Sequence, residues 1–155
     1  MSPEVDRSDD FFMSAALEEA QKAFDADEVP IGAVAVENGV IIARSHNQVE
    51  TKKSVSAHAE FLLLKQLEEL RRDWRMTGIT IYVTKEPCPM CAGMLVNSRF
   101  SRIVFGVGDP AFGGCGKAVN IPALPGALFH PEVTGGVKSD EAKALIQKFF
   151  RLKRS

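Results

Sequence analysis

His58-Ala59-Glu60, followed after a helix-length gap by Pro87-Cys88-Pro89-Met90-Cys91, decides how this chain folds and what chemistry it carries. The two segments offer one imidazole, two thiolates and a carboxylate. Structural zinc usually takes four protein ligands, whereas catalytic zinc takes three and keeps a position for water. Three ligands with an acid beside them make the composition of a site that activates water.

Spacing places these residues at helix starts. Pro89 suits the first helical position of a helix running through Asn97. Cys88 then falls near the cap and Cys91 in the first turn, so both sulfurs point at one spot beyond the helix end. The positive end of a helix favours thiolates over thiols. His58 begins the preceding helix, which runs to about Leu70 with Phe61, Leu64 and Leu67 on a shared side. Glu60 is two residues after His58, and such pairs do not normally face each other along a helix. Spacing alone therefore does not bring its carboxylate to the metal.

Two other readings stay open. Cys-x-x-Cys also occurs as a redox pair or as half of a structural zinc site. A redox pair has no need of His58 or Glu60, and Pro-Met is an unusual spacer for one. A structural site wants a fourth ligand, for which His46, His130 and Cys115 compete. Catalytic zinc is the preferred reading.

Outward from these segments, helices and strands alternate. Ser8-Asp9-Asp10 caps a helix whose apolar stripe is Phe12, Ala16, Ala20 and Phe24. Ile31 to Val36 and Val40 to Arg44 are strands joined at Asn38-Gly39, a strong hairpin signal. Thr80 to Val83, Ile103 to Gly106 and Glu132 to Thr134 read as further strands. Asp109 to Pro131 is rich in Gly and Pro and reads mostly as loop. Ser139-Asp140-Glu141 caps a last helix with Ala144, Leu145, Phe149 and Leu152 inward. The pattern predicts α/β layers around one mixed sheet.

The 155 residues suffice for one domain and not for two ordinary ones. With 45% hydrophobic and 25% charged residues, the composition is that of a soluble globular protein. No segment approaches the ~20 apolar residues that span a bilayer. Met1 to Asp10 is acidic and lacks the apolar run of a signal peptide. Three cysteines, two at metal spacing, fit a reducing cytoplasmic location. The net charge of −1 exerts no global pull on nucleic acid. Charge is uneven, however: Arg71, Arg72 and Arg75 cluster, and the tail holds Lys148, Arg151, Lys153 and Arg154. Such runs are usually solvated helix faces, though a local basic patch holds phosphates on a neutral protein as well.

The order His-x-Glu…Pro-Cys-x-x-Cys is the signature of zinc nucleobase deaminases. From about Phe12 to Arg154 the chain resembles the bacterial tRNA-specific adenosine deaminases, within the cytidine deaminase-like superfamily. The likeness runs through Glu28-Val29-Pro30-Ile31-Gly32-Ala33, His46-Asn47, His58-Ala59-Glu60 and Glu86-Pro87-Cys88-Pro89-Met90-Cys91-Ala92-Gly93. Asn97-Ser98-Arg99, Val104-Phe105-Gly106, Asp109 and Phe149-Phe150-Arg151 continue it. The zinc core alone marks the superfamily, and the flanking segments narrow it.

The resemblance implies a three-layer α/β/α cytidine deaminase-like fold with a five-stranded mixed sheet, as one zinc-dependent deaminase domain over residues 1–155 with its core at about 9–153. It implies one zinc ion on His58, Cys88 and Cys91, with Glu60 as the catalytic proton carrier. It places Asn47, Val29, Pro30, Ala59 and Pro87 around the substrate, Asp109 near the flipped nucleotide, and Phe149 and Arg151 against RNA. The implied reaction is hydrolytic deamination of adenosine to inosine in tRNA, at the anticodon wobble base, by a cytoplasmic homodimer that binds no membrane.

Some residues depart from the family pattern. Lys85 stands where an apolar residue is usual, and Gly108 where a basic one is common. Gly113 to Pro125 differs most. Relatives tend to form a short helix there, which Pro122 and Pro125 are expected to disrupt. These departures bear on substrate more than on chemistry. The alternative enzyme is a small-molecule deaminase acting on guanine, cytosine, a free nucleoside or a related aminated heterocycle. A catalytically silent, zinc-stabilised RNA-binding protein is a further alternative, against which Glu60 argues.

Overall fold

A computed structural model of the chain describes residues 8–154. The acidic segment expected at Met1 to Asp10 therefore lies largely outside the described residues. Ser8 accepts a hydrogen bond from the Phe11 amide and caps α1 (Asp9–Asp25). The hairpin of β1 (Gly32–Glu37) and β2 (Val40–His46) follows. Its turn puts Asn38 and Gly39 at φ 52° and 75°, the left-handed values that a two-residue turn of this kind requires. A one-turn helix, α2 (Val49–Lys52), was not foreseen. The order continues α3 (Ala59–Arg71), β3 (Ile79–Lys85), α4 (Pro89–Asn97), β4 (Arg102–Val107), β5 (Glu132–Thr134) and α5 (Ser139–Lys153).

The five strands form one mixed sheet in the order β2-β1-β3-β4-β5. β1 is antiparallel to β2 and β3, while β3, β4 and β5 run parallel. Alternating side chains divide the core into two layers. Ala33, Ala35, Ile79, Ile81, Val83, Ile103 and Phe105 pack with Leu63, Leu67 and Leu95 from α3 and α4. Val34, Val36, Tyr82 and Val104 face the opposite way, onto Phe12, Met13 and Ala16 of α1. Helices thus cover both faces, and the α/β/α expectation holds. Each fully buried aliphatic side chain contributes roughly 1.5–3 kcal/mol. The thiol-bearing turn lies on the α3/α4 face, where the chain leaves β3 and enters α4.

An ion-paired network ties the start of α1 to the far strands. Arg102 donates from both terminal nitrogens to Asp9, at 2.8 Å each, and pairs with Glu132. Tyr82 donates its hydroxyl to the same carboxylate at 2.7 Å. The Arg102 guanidinium outweighs burial and holds Asp9 below the usual carboxylate range.

Three expectations are corrected. The cap of α5 is Lys138, in the left-handed conformation and without a side-chain capping bond, so Ser139 is already helical. α5 buries Ala142 and Phe149, whereas Ala144 and Leu152 are exposed. The buried side of α5 packs against β4. A short 3-10 helix does form in the variable loop, at Ile121–Ala123, with Pro122 inside it. Proline is compatible with a first turn, where its missing N–H has no partner to lose.

Candidate active site

His58 is the cap of α3 and Cys88 the cap of α4, both in extended conformation. Neither side chain caps its own helix, so each is free to turn toward the other. Cys91, in the first turn of α4, completes the group. His58 Nδ1 lies 3.7 Å from Cys88 Sγ and 3.5 Å from Cys91 Sγ, and all three donor atoms fall within 4.8 Å of one another. Zn–S bonds of about 2.3 Å and Zn–N bonds of about 2.0–2.1 Å at tetrahedral angles separate sulfur from nitrogen by about 3.6 Å. The donor set and its spacing fit a zinc ion. His46 is engaged instead by Glu19, at 3.4 Å, and His130 by the Pro122 carbonyl, at 2.9 Å. Among the described residues no fourth donor joins the group.

The mutual contacts of these groups shift their protons. Cys91, then His58, pulls the Cys88 thiol down to about 4. Cys88, against the cost of burial, pushes the His58 imidazole up. Cys88 followed by burial pushes Cys91 well up.

Glu60 is only 4% exposed. Its separation from His58 is resolved by the cap: His58 stands outside the helix, Glu60 is its second residue, and both line the same cavities. Burial raises the Glu60 carboxyl to about 7, against the opposing pull of His58. Two cavities meet at Ile31, His58 and Glu60. One, of about 230 Å³, is walled by Glu28, Val29, Asn47, Val49 and Ala59. The other, of about 200 Å³, is walled by Lys85, Cys88, Asp109 and Phe112.

The remaining expected residues are placed as follows. Asn47 is buried, donates its amide to the Val29 carbonyl at 3.2 Å, and lines the first cavity with Val29 and Ala59. Pro30 and Pro87 are buried and line neither cavity, and the Pro87 carbonyl accepts from the Gly114 amide at 2.7 Å. Asp109 lines the second cavity and is partly exposed. Phe149 packs against Phe24, with ring centroids 5.9 Å apart, and borders a separate hollow shared with Glu28, Val29 and Lys153. Arg151 is on the exposed side of α5, beside Phe150 and Arg154, and is not brought to the His58 group. Cys115 is buried, and burial pushes its thiol up to about 12.

Two buried carboxylates had no assigned part in the sequence reading. Glu28 receives the Glu50 amide at 3.0 Å, and the Thr51 amide and hydroxyl at 2.6 Å each, which satisfies the start of α2. Burial opposes its charge, but these donors hold it below the usual range. Glu86 receives the Asp109 amide on Oε1 at 2.9 Å and the Cys115 and Lys117 amides on Oε2 at 2.9 and 3.1 Å. It fastens the variable loop over the Pro87-Cys88 turn. Gly113 crosses this carboxylate so closely that a Cβ there would sit 2.3 Å from it. In Glu86→Gln the new NH2 must face an amide donor in place of an acceptor. Leaving such donors unpaired costs about 1–3 kcal/mol. The expected result is a lower thermal midpoint with faster proteolytic cleavage between residues 109 and 125; unchanged melting and digestion would contradict the fastening role.

Sheet order, thiol-bearing turn and buried acid together define the class: a hydrolytic deaminase with the cytidine deaminase-like fold. The MafB19-like deaminase family matches residues 7–154. The chain is 45% identical to the tRNA-specific adenosine deaminase of Bacillus subtilis over 92% of its own length and 89% of that protein. A solved structure from work on tRNA:A34 deaminases, which perform A-to-I editing at the wobble position of transfer RNA, superposes with TM-score 0.83 at 38% identity, covering 86% of this chain and 97% of that one. The guanine deaminase of Nitrosomonas europaea shares the fold, with TM-score 0.80 at 22% identity over 96% and 93% of the two chains. This chain belongs to the family of tRNA-specific adenosine deaminases.

Proposed function

We propose that this protein hydrolyses adenosine to inosine in tRNA, at the wobble position of the anticodon. The observation that carries the reading is a His58-Cys88-Cys91 group at zinc spacing beside a buried acid, in a chain so similar to a tRNA-specific adenosine deaminase along its length. His58, Cys88 and Cys91 would hold the metal, and a zinc ion there would supply a Lewis acid that brings the pKa of water toward neutrality.

Glu60 does the proton work. It takes a proton from the attacking water and passes it to N1 of the adenine ring as oxygen bonds to C6. It then moves the remaining hydroxyl proton to the exocyclic nitrogen. The C6–N bond breaks, ammonia leaves, and the C6 carbonyl of inosine remains. Val29, Asn47 and Ala59 wall the cavity that receives the base, and Pro30 and Pro87 stiffen its surround. A base must leave its stack to reach Glu60, which favours an unpaired loop nucleotide. Asp109 stands at the mouth, while Phe149 orders the end of α5 from which Arg151 and its basic neighbours reach phosphates.

The same reading makes residues 9–153 one deaminase domain, acting as a cytoplasmic homodimer; light scattering at micromolar concentration reads that assembly. Among the described residues no helix is long and apolar enough to cross a membrane. The deciding assay incubates the zinc-loaded protein with tRNA bearing adenosine at the wobble position and, separately, with adenosine, guanine and cytosine. Inosine in the tRNA is the expected product. Ammonia from a free base, with no inosine in tRNA, would overturn the reading.

A further inference from the structure

Lys85 is the last residue of β3 and lines the second cavity with His58, Glu60, Cys88 and Asp109. Its ammonium lies 3.3 Å from Asp109 Oδ2, with the two side chains 33% and 22% exposed. Asp109 does not depend on Lys85 alone. Asp109 Oδ1 already accepts the Ala111 and Phe112 amides, at 3.0 and 3.1 Å. An ammonium has three N–H donors, and one carboxylate oxygen uses one of them. Among the described residues Asp109 is the ion-pair partner of Lys85.

The other acids of this cavity do not call for the cation. Glu86 is satisfied by three backbone amides. Glu60 is buried and forms no ion pair with Lys85, whose charge acts on it less than burial does. Purine and ribose carry no charge, so the anion a nucleotide brings to the mouth of such a cleft is its phosphate. Lys85 and Asp109 are more exposed than Glu60 and Glu86, so a base that reached Glu60 through this cavity would bring its sugar-phosphate toward them.

We propose that Lys85 is a substrate-binding residue whose ammonium, anchored by Asp109, takes a phosphate oxygen of the nucleotide being deaminated. The assignment rests on the tRNA reading above. Asp109 acts as the anchor: its backbone-held carboxylate keeps the lysine stem folded over the cleft and lowers the entropy lost when phosphate binds. The contact is blind to sequence, as phosphate contacts are. It selects for a base delivered within a chain over a free base.

The test compares the zinc-loaded wild type with Lys85→Met and Lys85→Arg on an anticodon stem-loop RNA carrying adenosine at the wobble position. Methionine keeps much of the apolar stem and removes the charge. A rise in KM of roughly three- to tenfold, with kcat within about twofold, is expected for a lost charged hydrogen bond at a partly exposed site. The slope of log KM against log salt should fall by about 0.7, one single-strand phosphate contact. Lys85→Arg should restore both. Equal KM and equal salt slope in wild type and Lys85→Met would overturn the assignment, as would a loss confined to kcat, the mark of a merely structural lysine. Absence of inosine from the wild-type reaction would instead overturn the tRNA reading itself.

Discussion

Glu60→Gln is expected to hold as much zinc as the wild-type protein and to lose about 10²–10⁴-fold in turnover, the usual worth of a positioned acid–base group. The loss belongs at the upper end, because the proposed reaction uses one carboxylate for both proton transfers. Glutamine has nearly the shape of glutamate and cannot accept or release the proton. The carboxylate is not one of the three clustered donors, so metal content separates its role from theirs. Burial adds a second readout. The site holds this acid at 4% exposure and raises its carboxyl to about 7, and a neutral amide is cheaper to bury than a charge. Thermal stability should therefore be equal or higher in the variant, while turnover collapses. Near wild-type turnover would refute proton transfer by Glu60, and zinc lost together with activity would make it a ligand.

The parts of this site that were legible in sequence are those whose cause is local. Pro89 marks the first turn of α4, and the strand Glu132–Thr134 stands out between glycine- and proline-rich stretches. The Asn38-Gly39 turn announces its own backbone. His58 and Glu60 were harder. Their spacing argues against a shared face until His58 is known to be a cap, and a cap is fixed by the chain that precedes it. The structural parts of Glu28 and Glu86 were not legible at all. Glu86 has its partners 23 to 31 residues away, and Glu28 has its own 22 and 23 residues away. No local propensity signals a carboxylate that closes a loop elsewhere. The four residues of α2 fail for the same reason, since their start is satisfied by Glu28 and not by a neighbour. Lys85 could be seen as unusual, but only the fold shows that Asp109 faces it.

Replacing both Cys88 and Cys91 with alanine is expected to take zinc from about one per chain to almost none, to abolish turnover, and to lower stability. The three donors lie on two helix starts, so an ion between them would fasten α3 to α4. Small zinc modules gain about 10–16 kcal/mol from the metal because they have little else. This chain has two packed layers of its own and should stay folded without it. The appropriate measure is linkage: a site filled at a thousand times its dissociation constant adds about 4 kcal/mol. Substitution also removes packing at Cys91, which is fully buried, so the variant's lower midpoint alone proves nothing about metal. A chelator separates the two terms. It should lower the thermal midpoint of the wild type by several degrees and leave that of the double variant where it is. Full zinc occupancy in the double variant, or an equal response of both proteins to the chelator, would remove His58, Cys88 and Cys91 from the role of metal holders.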